Sequence, residues 1–345
     1  MTALSGATID HLGFHVADAD KAAHRMREDY GTAVLAEGSR AVGERSVLVG
    51  TGTIRMLFTQ PLADDHPAAR YVREHGDGVA DVALRVADAR AAHDLAVSRG
   101  ARSLAAPAEI DGVATATVSG FGDVAHTFVQ RAPGRDLLPG LDPVAGVPAD
   151  LGLAAVDHLA VCLPPGELAP TVAYYRDVLG FSTIFQERIS VGRQAMTSNI
   201  VRSDGGDATL TLIEPDPDLE PGHIDGFLRD HRGPGVQHIA LSTADITGTV
   251  GLLRERGVAF LSAPDTYYRL LTERLDPRRH PVERLRELAV LVDEDHDGQL
   301  FQIFARSTHP RGTVFFEVIE RLGATTFGSG NIRALYEAVE RERED

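Results

Sequence analysis

In 345 residues the chain has one cysteine, one lysine and no tryptophan. With Cys162 alone there can be no intramolecular disulfide, no cysteine-built zinc site and no CxxC redox pair. Lys21 is the sole lysine and lies in no Gly-Lys-Ser/Thr context, which excludes a P-loop, because that phosphate cradle needs its own lysine. No apolar run approaches the ~20 residues of a membrane span. The opening "MTALSGATIDHLG" has no basic stretch leading into an apolar one, so it does not read as a secretory leader. A formal net charge of -16 argues against nucleic acid and anionic membranes, both of which require clustered basic surface. The expectation is a cytoplasmic protein that binds neither.

What is present is duplicated. The length suits about two domains of ~150 residues. Pro133, Pro139, Pro143 and Pro148 cluster in "RAPGRDLLPGLDPVAGVPADLG", a composition that disfavours helix and central strand, so residues 133–152 read as a linker between domains 1–132 and 153–345. On either side "IDHLGFHVADADKAAHRM" from Ile9 matches "VDHLAVCLPPGELAPTVAYY" from Val156, and "GDGVADVALRVADAR" from Gly76 matches "GPGVQHIALSTADIT" from Gly233. Each half thus holds two similar units, an alternating strand followed by an amphipathic helix and further short strands. This predicts an α+β fold of two duplicated domains, each of paired βαβββ units curled into a half-open barrel. In the tail, Ile332, Leu335, Tyr336 and Val339 repeat at i, i+3, i+4 and i+7, with Ser329 or Asn331 as cap, which predicts a helix closing the C-terminal barrel.

Chemistry concentrates in the second half. The repeat puts His158 and His238 at matching places on the first strands of two facing units, and Glu317 lies in the apolar run "TVFFEVIERLG", where an unpartnered carboxylate is costly to bury. Two imidazoles and one carboxylate leave about half of an octahedral iron open, the donor set of non-haem Fe(II) oxygenases. Spacing alone does not nominate the three as ligands and reads first as two satisfied core histidines and an ion-pair partner. In the first half His11 stands in the place of His158, Asp81 in that of His238, and no carboxylate clearly matches Glu317, so that copy reads as scaffold. "DEDHDGQLF" starts like a calcium loop but has Phe304 at the twelfth position, and His11 and His15, four apart, fall on an alternating strand. Cys162 has no evident activating base and reads as a small core residue.

"VDHLAVCL", "GPGVQHIALST", "GQLFQIFARSTHPRGTVFFEVIER" and "TTFGSGNIRALYEAVE" resemble, in order and spacing, the 4-hydroxyphenylpyruvate dioxygenase family of the vicinal-oxygen-chelate superfamily, over nearly the whole chain. The resemblance implies Fe(II) on His158, His238 and Glu317, with 4-hydroxyphenylpyruvate and O2 as substrates. It also implies a pocket with Ser198, Gln237 and Gln302 as its polar set and Phe304, Phe315 and Phe327 as apolar walls, though any one of these aromatics is equally a plain core residue. Thr211-Leu212-Ile213-Glu214-Pro215 stands where the dioxygenases usually read Pro-Ile-Asn-Glu-Pro, and Ile332 follows Gly330-Asn331 where phenylalanine is usual. Thr211, Ile213, Asn331 and Ile332 therefore join the substrate set, and the two isoleucines look like the hydroxymandelate-forming branch, which serves antibiotic biosynthesis. His223, in "PGHIDGFL", stands where the family usually has glutamine and is kept outside the metal set. The expectation is benzylic hydroxylation to 4-hydroxymandelate, with homogentisate formation as the alternative and a metal-free small-molecule-binding protein as the alternative of another class. A two-fold homodimer is the default assembly.

Overall fold

The structure, a computed structural model, describes residues 3–205, 208–328 and 330–331. Ile332 and the helix expected beyond it lie outside these residues. The N-terminal half contains β1 (Thr8–His15), β2 (Ala33–Gly38), β3 (Glu44–Thr51), β4 (Ile54–Pro61), β5 (Gly78–Arg85), β6 (Ser103–Ile110), β7 (Val113–Ser119), β8 (Ala125–Arg131) and β9 (Leu141–Pro143). The C-terminal half contains β10 (Leu153–Cys162), β11 (Ser182–Val191), β12 (Gln194–Arg202), β13 (Thr209–Pro215), β14 (Gly235–Thr243), β15 (Leu291–Glu294), β16 (Gln299–Phe304) and β17 (Phe315–Leu322).

The strands form two sheets, in the orders β6-β7-β8-β5-β1-β4-β3-β2-β9 and β11-β12-β13-β10-β14-β17-β16-β15. In every unit the first strand pairs parallel with the last, as in β1 with β4 and β14 with β17. Two units then join through an antiparallel pair of first strands, β1 with β5 and β10 with β14. The result is two curled half-barrel sheets of duplicated βαβββ units, the α+β architecture that the repeats predict.

Helices α1 (Ala19–Tyr30), α2 (Pro67–His75), α3 (Ala89–Ser98), α4 (Leu168–Ala173), α5 (His223–His231), α6 (Ile246–Glu255), α7 (Asp265–Arg274) and α8 (Val282–Glu287) cover the sheets. The repeated Ala-Asp doublet explains where three of them begin: Asp18, Asp88 and Asp245 accept hydrogen bonds from the backbone N–H of Lys21, Ala91 and Gly248. The fourth unit helix, α4, has no such cap and runs into a π-helical turn over Tyr174–Val178. That turn reaches the other half, where the Tyr175 hydroxyl lies 2.8 Å from His126 Nε2 and Tyr174 donates to the carbonyl of Ser119.

The halves share one apolar core, in which Leu12, Phe14 and Phe128 pack in the same cluster as Leu159, Val161 and Tyr175. At their junction Thr53 N–H donates to the Ala154 carbonyl at 2.7 Å. Next to it Gly52 has φ +54°, and a Cβ there would come within 2.3 Å of that oxygen, so glycine is required twice over. The proline-rich stretch expected as a linker is partly ordered into the N-terminal sheet, because β9 pairs with β2 at its edge, the position at which a strand tolerates proline.

His15 in β1 is partly buried and His231 at the end of α5 is buried, and both surroundings favour the neutral ring. His15 and His231 are each lowered to about 4, chiefly by burial and secondarily by His66 and His75 respectively. Their folded pKa lies below the unfolded value, so the stability they contribute is present above about pH 6.5 and is lost as pH falls toward 4. Urea unfolding should therefore give a lower free energy at pH 5 than at pH 7, by on the order of 1–2 kcal/mol for each histidine. A free energy that is unchanged or higher at pH 5 would contradict this.

Candidate metal centre and substrate pocket

Strand register assembles the centre. Antiparallel pairing sets His158 opposite Ala240 and His238 opposite Ala160, and parallel pairing sets Ala240 beside Glu317. Side chains alternate between the faces of a strand, so His158, Ala240 and Glu317 share one face at one level, and His238 joins them from two residues along. The intervening alanines are small enough for the three long side chains to converge. Glu317 Oε2 lies 3.4 Å from His158 Nε2 and 3.4 Å from His238 Nε2, with the three residues 2%, 3% and 8% exposed.

Each ring is held at its far nitrogen. His158 Nδ1 lies 2.8 Å from Asp157 Oδ1, and His238 Nδ1 lies 3.3 Å from Gln237 Oε1. An imidazole whose Nδ1 proton is engaged presents the Nε2 lone pair, the form that binds a cation. Burial would raise the Glu317 carboxyl, but the two facing imidazoles outweigh it and hold the group ionised. For His158 burial pulls downward, yet Glu317 and Asp157 prevail and its pKa is raised; for His238 burial prevails and its pKa is lowered.

This donor set fits a divalent ion. Neighbouring ligand atoms around a cation bound at about 2.1 Å lie roughly 3 Å apart, close to the separations found here. Two imidazole nitrogens and one carboxylate oxygen suit iron. Among the described residues, three other His/carboxylate groups are otherwise engaged or exposed. Glu320, in Asp245–His280–Glu320, accepts from Ile246 N–H at 2.7 Å and pairs with His280 at 2.9 Å and Arg279 at 3.0 Å, so it already has its cation. His75, beside Glu74 and Asp123, spends both ring nitrogens on the His231 carbonyl and Asp123. In Asp295–His296–Asp297, Asp295 is taken by the backbone and hydroxyl of Thr326 and the backbone of Thr325, while His296 and Asp297 lie exposed.

A cavity opens in front of His158, His238 and Glu317, lined by Met196, Ser198, Thr211, Ile213, His223, Gln237, Gln302, Phe304 and Phe327. Its free volume is about 40 Å³, room for a few waters.

Comparison with known proteins agrees with this architecture. Residues 155–303 match the glyoxalase, bleomycin resistance protein and dioxygenase superfamily, and residues 46–142 match the N-terminal domain of hydroxyphenylpyruvate dioxygenase. The 4-hydroxyphenylpyruvate dioxygenase of Dictyostelium discoideum is 34% identical over 97% of this chain and 98% of its own. That of Danio rerio is 34% identical over 97% and 90%. The chain belongs to the 4-hydroxyphenylpyruvate dioxygenase family. Among solved structures, a triple mutant of 4-hydroxymandelate synthase from Streptomyces coelicolor superposes with a TM-score of 0.89 and 44% identity, covering 98% of this chain and 99% of that one.

Within this dioxygenase-family fold, Ser198, Thr211, Ile213, Gln237, Gln302, Phe304 and Phe327 are brought together around the cavity, and His223 stands among them at the start of α5. Phe315 lies outside the lining: it stacks on His238 with ring centroids 5.0 Å apart and backs that ring. Asn331 also lies outside it, fully buried, with its Oδ1 accepting from the Tyr267 hydroxyl at 3.0 Å. Met196 was not foreseen. Its signal is the alternation along β12, which puts it on the face of Ser198 and pairs the two with Pro215 and Ile213. Also unforeseen were Asp157 and Arg321, which meet through two 2.8 Å bonds.

The N-terminal half repeats that outer arrangement without the cage. His11 Nδ1 lies 2.8 Å from Asp10, and Arg131 grips Asp10 with bonds of 2.8 and 2.7 Å. Register, however, puts Asp81 in the place of His238 and Thr127 in that of Glu317, and Asp81 accepts from Thr127 N–H at 3.0 Å. Among the described residues no third ligand completes a metal set there. Substituting Glu317→Gln should lower Fe(II) affinity at least tenfold in competition with a chelator, while Asp81→Asn should leave it within twofold. Equal losses in the two variants would contradict the assignment of the centre to the C-terminal half.

Proposed function

We propose that the chain is an Fe(II)-dependent 4-hydroxymandelate synthase. Its reaction would be the oxidative decarboxylation of 4-hydroxyphenylpyruvate: one oxygen atom of O2 enters the new carboxylate, the other enters the benzylic C–H bond as hydroxyl, and CO2 leaves. Iron held by His158, His238 and Glu317 would supply the redox centre at which the 2-oxo acid and O2 meet. The surrounding chain would decide which carbon is oxidised.

The observation that carries this reading is Ile213. It is 6% exposed, lines the same cavity as the three ligands, and brings a branched aliphatic side chain to the place of the amide usual in homogentisate-forming relatives. A buried amide that hydrogen-bonds the substrate contributes on the order of 1 kcal/mol, so its loss removes one anchor for the phenol end. Ile213 packs with Met196, Ala160 and Phe227, giving that wall an apolar shape. Ser198, opposite Ile213 on the neighbouring strand, and Gln237 and Gln302 would then hold the polar ends, and Phe304 and Phe327 would flank the ring. The aromatic acid would sit with its benzylic carbon, rather than a ring carbon, toward the metal. The similarity to the Streptomyces synthase across the whole chain supports the same reading.

Homogentisate formation is the second reading, because the curated relatives named above are dioxygenases. Protein loaded with Fe(II) under nitrogen, then given 4-hydroxyphenylpyruvate and O2, separates the two by NMR, since the products are isomers. Hydroxymandelate is expected. Homogentisate as the main product would overturn the synthase reading, and absence of turnover in iron-loaded protein would overturn both. Ile213→Asn should divert a measurable share of product to homogentisate while lowering total turnover.

A further inference from the structure

His158 is gripped on two sides by one closed circuit of contacts. On its nitrogen side, Nδ1 meets Asp157, whose two carboxylate oxygens each take an Arg321 nitrogen at 2.8 Å. Arg321 is four residues past Glu317 on β17, and its remaining nitrogen donates to the carbonyls of Thr326 at 2.7 Å and Ala324 at 3.3 Å. Its guanidinium also lies over the Phe327 ring, 4.7 Å from the centroid. Phe327 in turn meets the His158 ring edge to face at 4.6 Å and 89°, which closes the circuit.

We infer that Asp157 and Arg321 are positioning residues that hold His158 with Nε2 toward the metal and tie that orientation to the seating of the 324–328 segment over the cavity. The guanidinium suits this task because its planar fork matches both carboxylate oxygens and still has donors to spare, which an ammonium does not. Neither residue touches the cavity. The inference rests on the metal reading above.

A plain structural ion pair is the competing explanation, and the molecule contains its own control. Asp10 and Arg131 make the same grip on His11 in the half that lacks the cage, and Arg131 likewise reaches a nearby carbonyl, that of Arg135. If the grip only stabilised the sheet, breaking it in either half would have the same consequences. If it positions a ligand, only the C-terminal copy should affect the metal.

The test compares Asp157→Asn and Arg321→Lys with Asp10→Asn and Arg131→Lys by thermal unfolding, Fe(II) affinity against a chelator, and the visible spectrum of the Co(II)-loaded protein. All four variants should lose thermal stability. Only Asp157→Asn and Arg321→Lys should alter the Co(II) spectrum and weaken Fe(II) binding, by about 10- to 100-fold. Arg321→Lys keeps the charge and serves if Asp157→Asn does not fold. Unchanged affinity and spectrum in Arg321→Lys, or equal metal losses in the N-terminal variants, would overturn the inference. A wild-type protein that binds neither Fe(II) nor Co(II) would instead overturn the metal reading beneath it.

Discussion

A carboxylate buried between two imidazoles is the constraint on which the C-terminal half depends. Glu317 is 2% exposed and meets His158 and His238 at equal distance, in surroundings where an unpaired charge would be several kcal/mol out of place. No single stretch of chain can satisfy it, because its two partners come from two other strands. The sheet order β10-β14-β17, the alanines at 160 and 240 and the outer grip on His158 all follow from the need to bring these groups to one face at one level. A cation bound there would balance the carboxylate and take up both nitrogen lone pairs.

The duplicated fold divides the work. The N-terminal half keeps the sheet, the capped helices and even the Asp10–Arg131 grip, while Asp81 and Thr127 stand where ligands would be. Its contribution is to brace the other half. His75 of α2 bonds the His231 carbonyl at the end of α5 and stacks on the His231 ring at 4.4 Å, and α5 begins with His223 at the cavity wall. The Tyr175–His126 contact and the Thr53–Ala154 bond fix the junction elsewhere. The same sheet and helices are thus built in a half without the two-histidine, one-glutamate set, and that half supports the other.

Much of this was legible in the sequence because duplication turns a weak pattern into a comparison. Asp-His-Leu written twice, and Gly-Val-Ala-Asp aligned with Gly-Val-Gln-His, located both the repeated strands and the half in which His158 and His238 meet Glu317. Period-two alternation then gave the α+β units. What stayed hidden depends on neighbours across the sheet. Arg321 meets Asp157 over a separation of 164 residues, and nothing local to either marks the pair. Met196 enters the cavity only through the register of β12 with β13. Phe315 and Asn331 carry residue types that suit a pocket, yet the fold turns one against the back of His238 and the other toward Tyr267. Proline content marked 133–152 as irregular but could not show that Leu141–Pro143 would find a free sheet edge.

The most direct test of the account is anomalous scattering at the iron absorption edge from crystals of the Fe(II)-loaded protein grown without oxygen. The account predicts one peak, at bonding distance from His158 Nε2, His238 Nε2 and Glu317. A peak beside His280 and Glu320, a peak in the N-terminal half near His11, or no iron peak at the three ligands would contradict it.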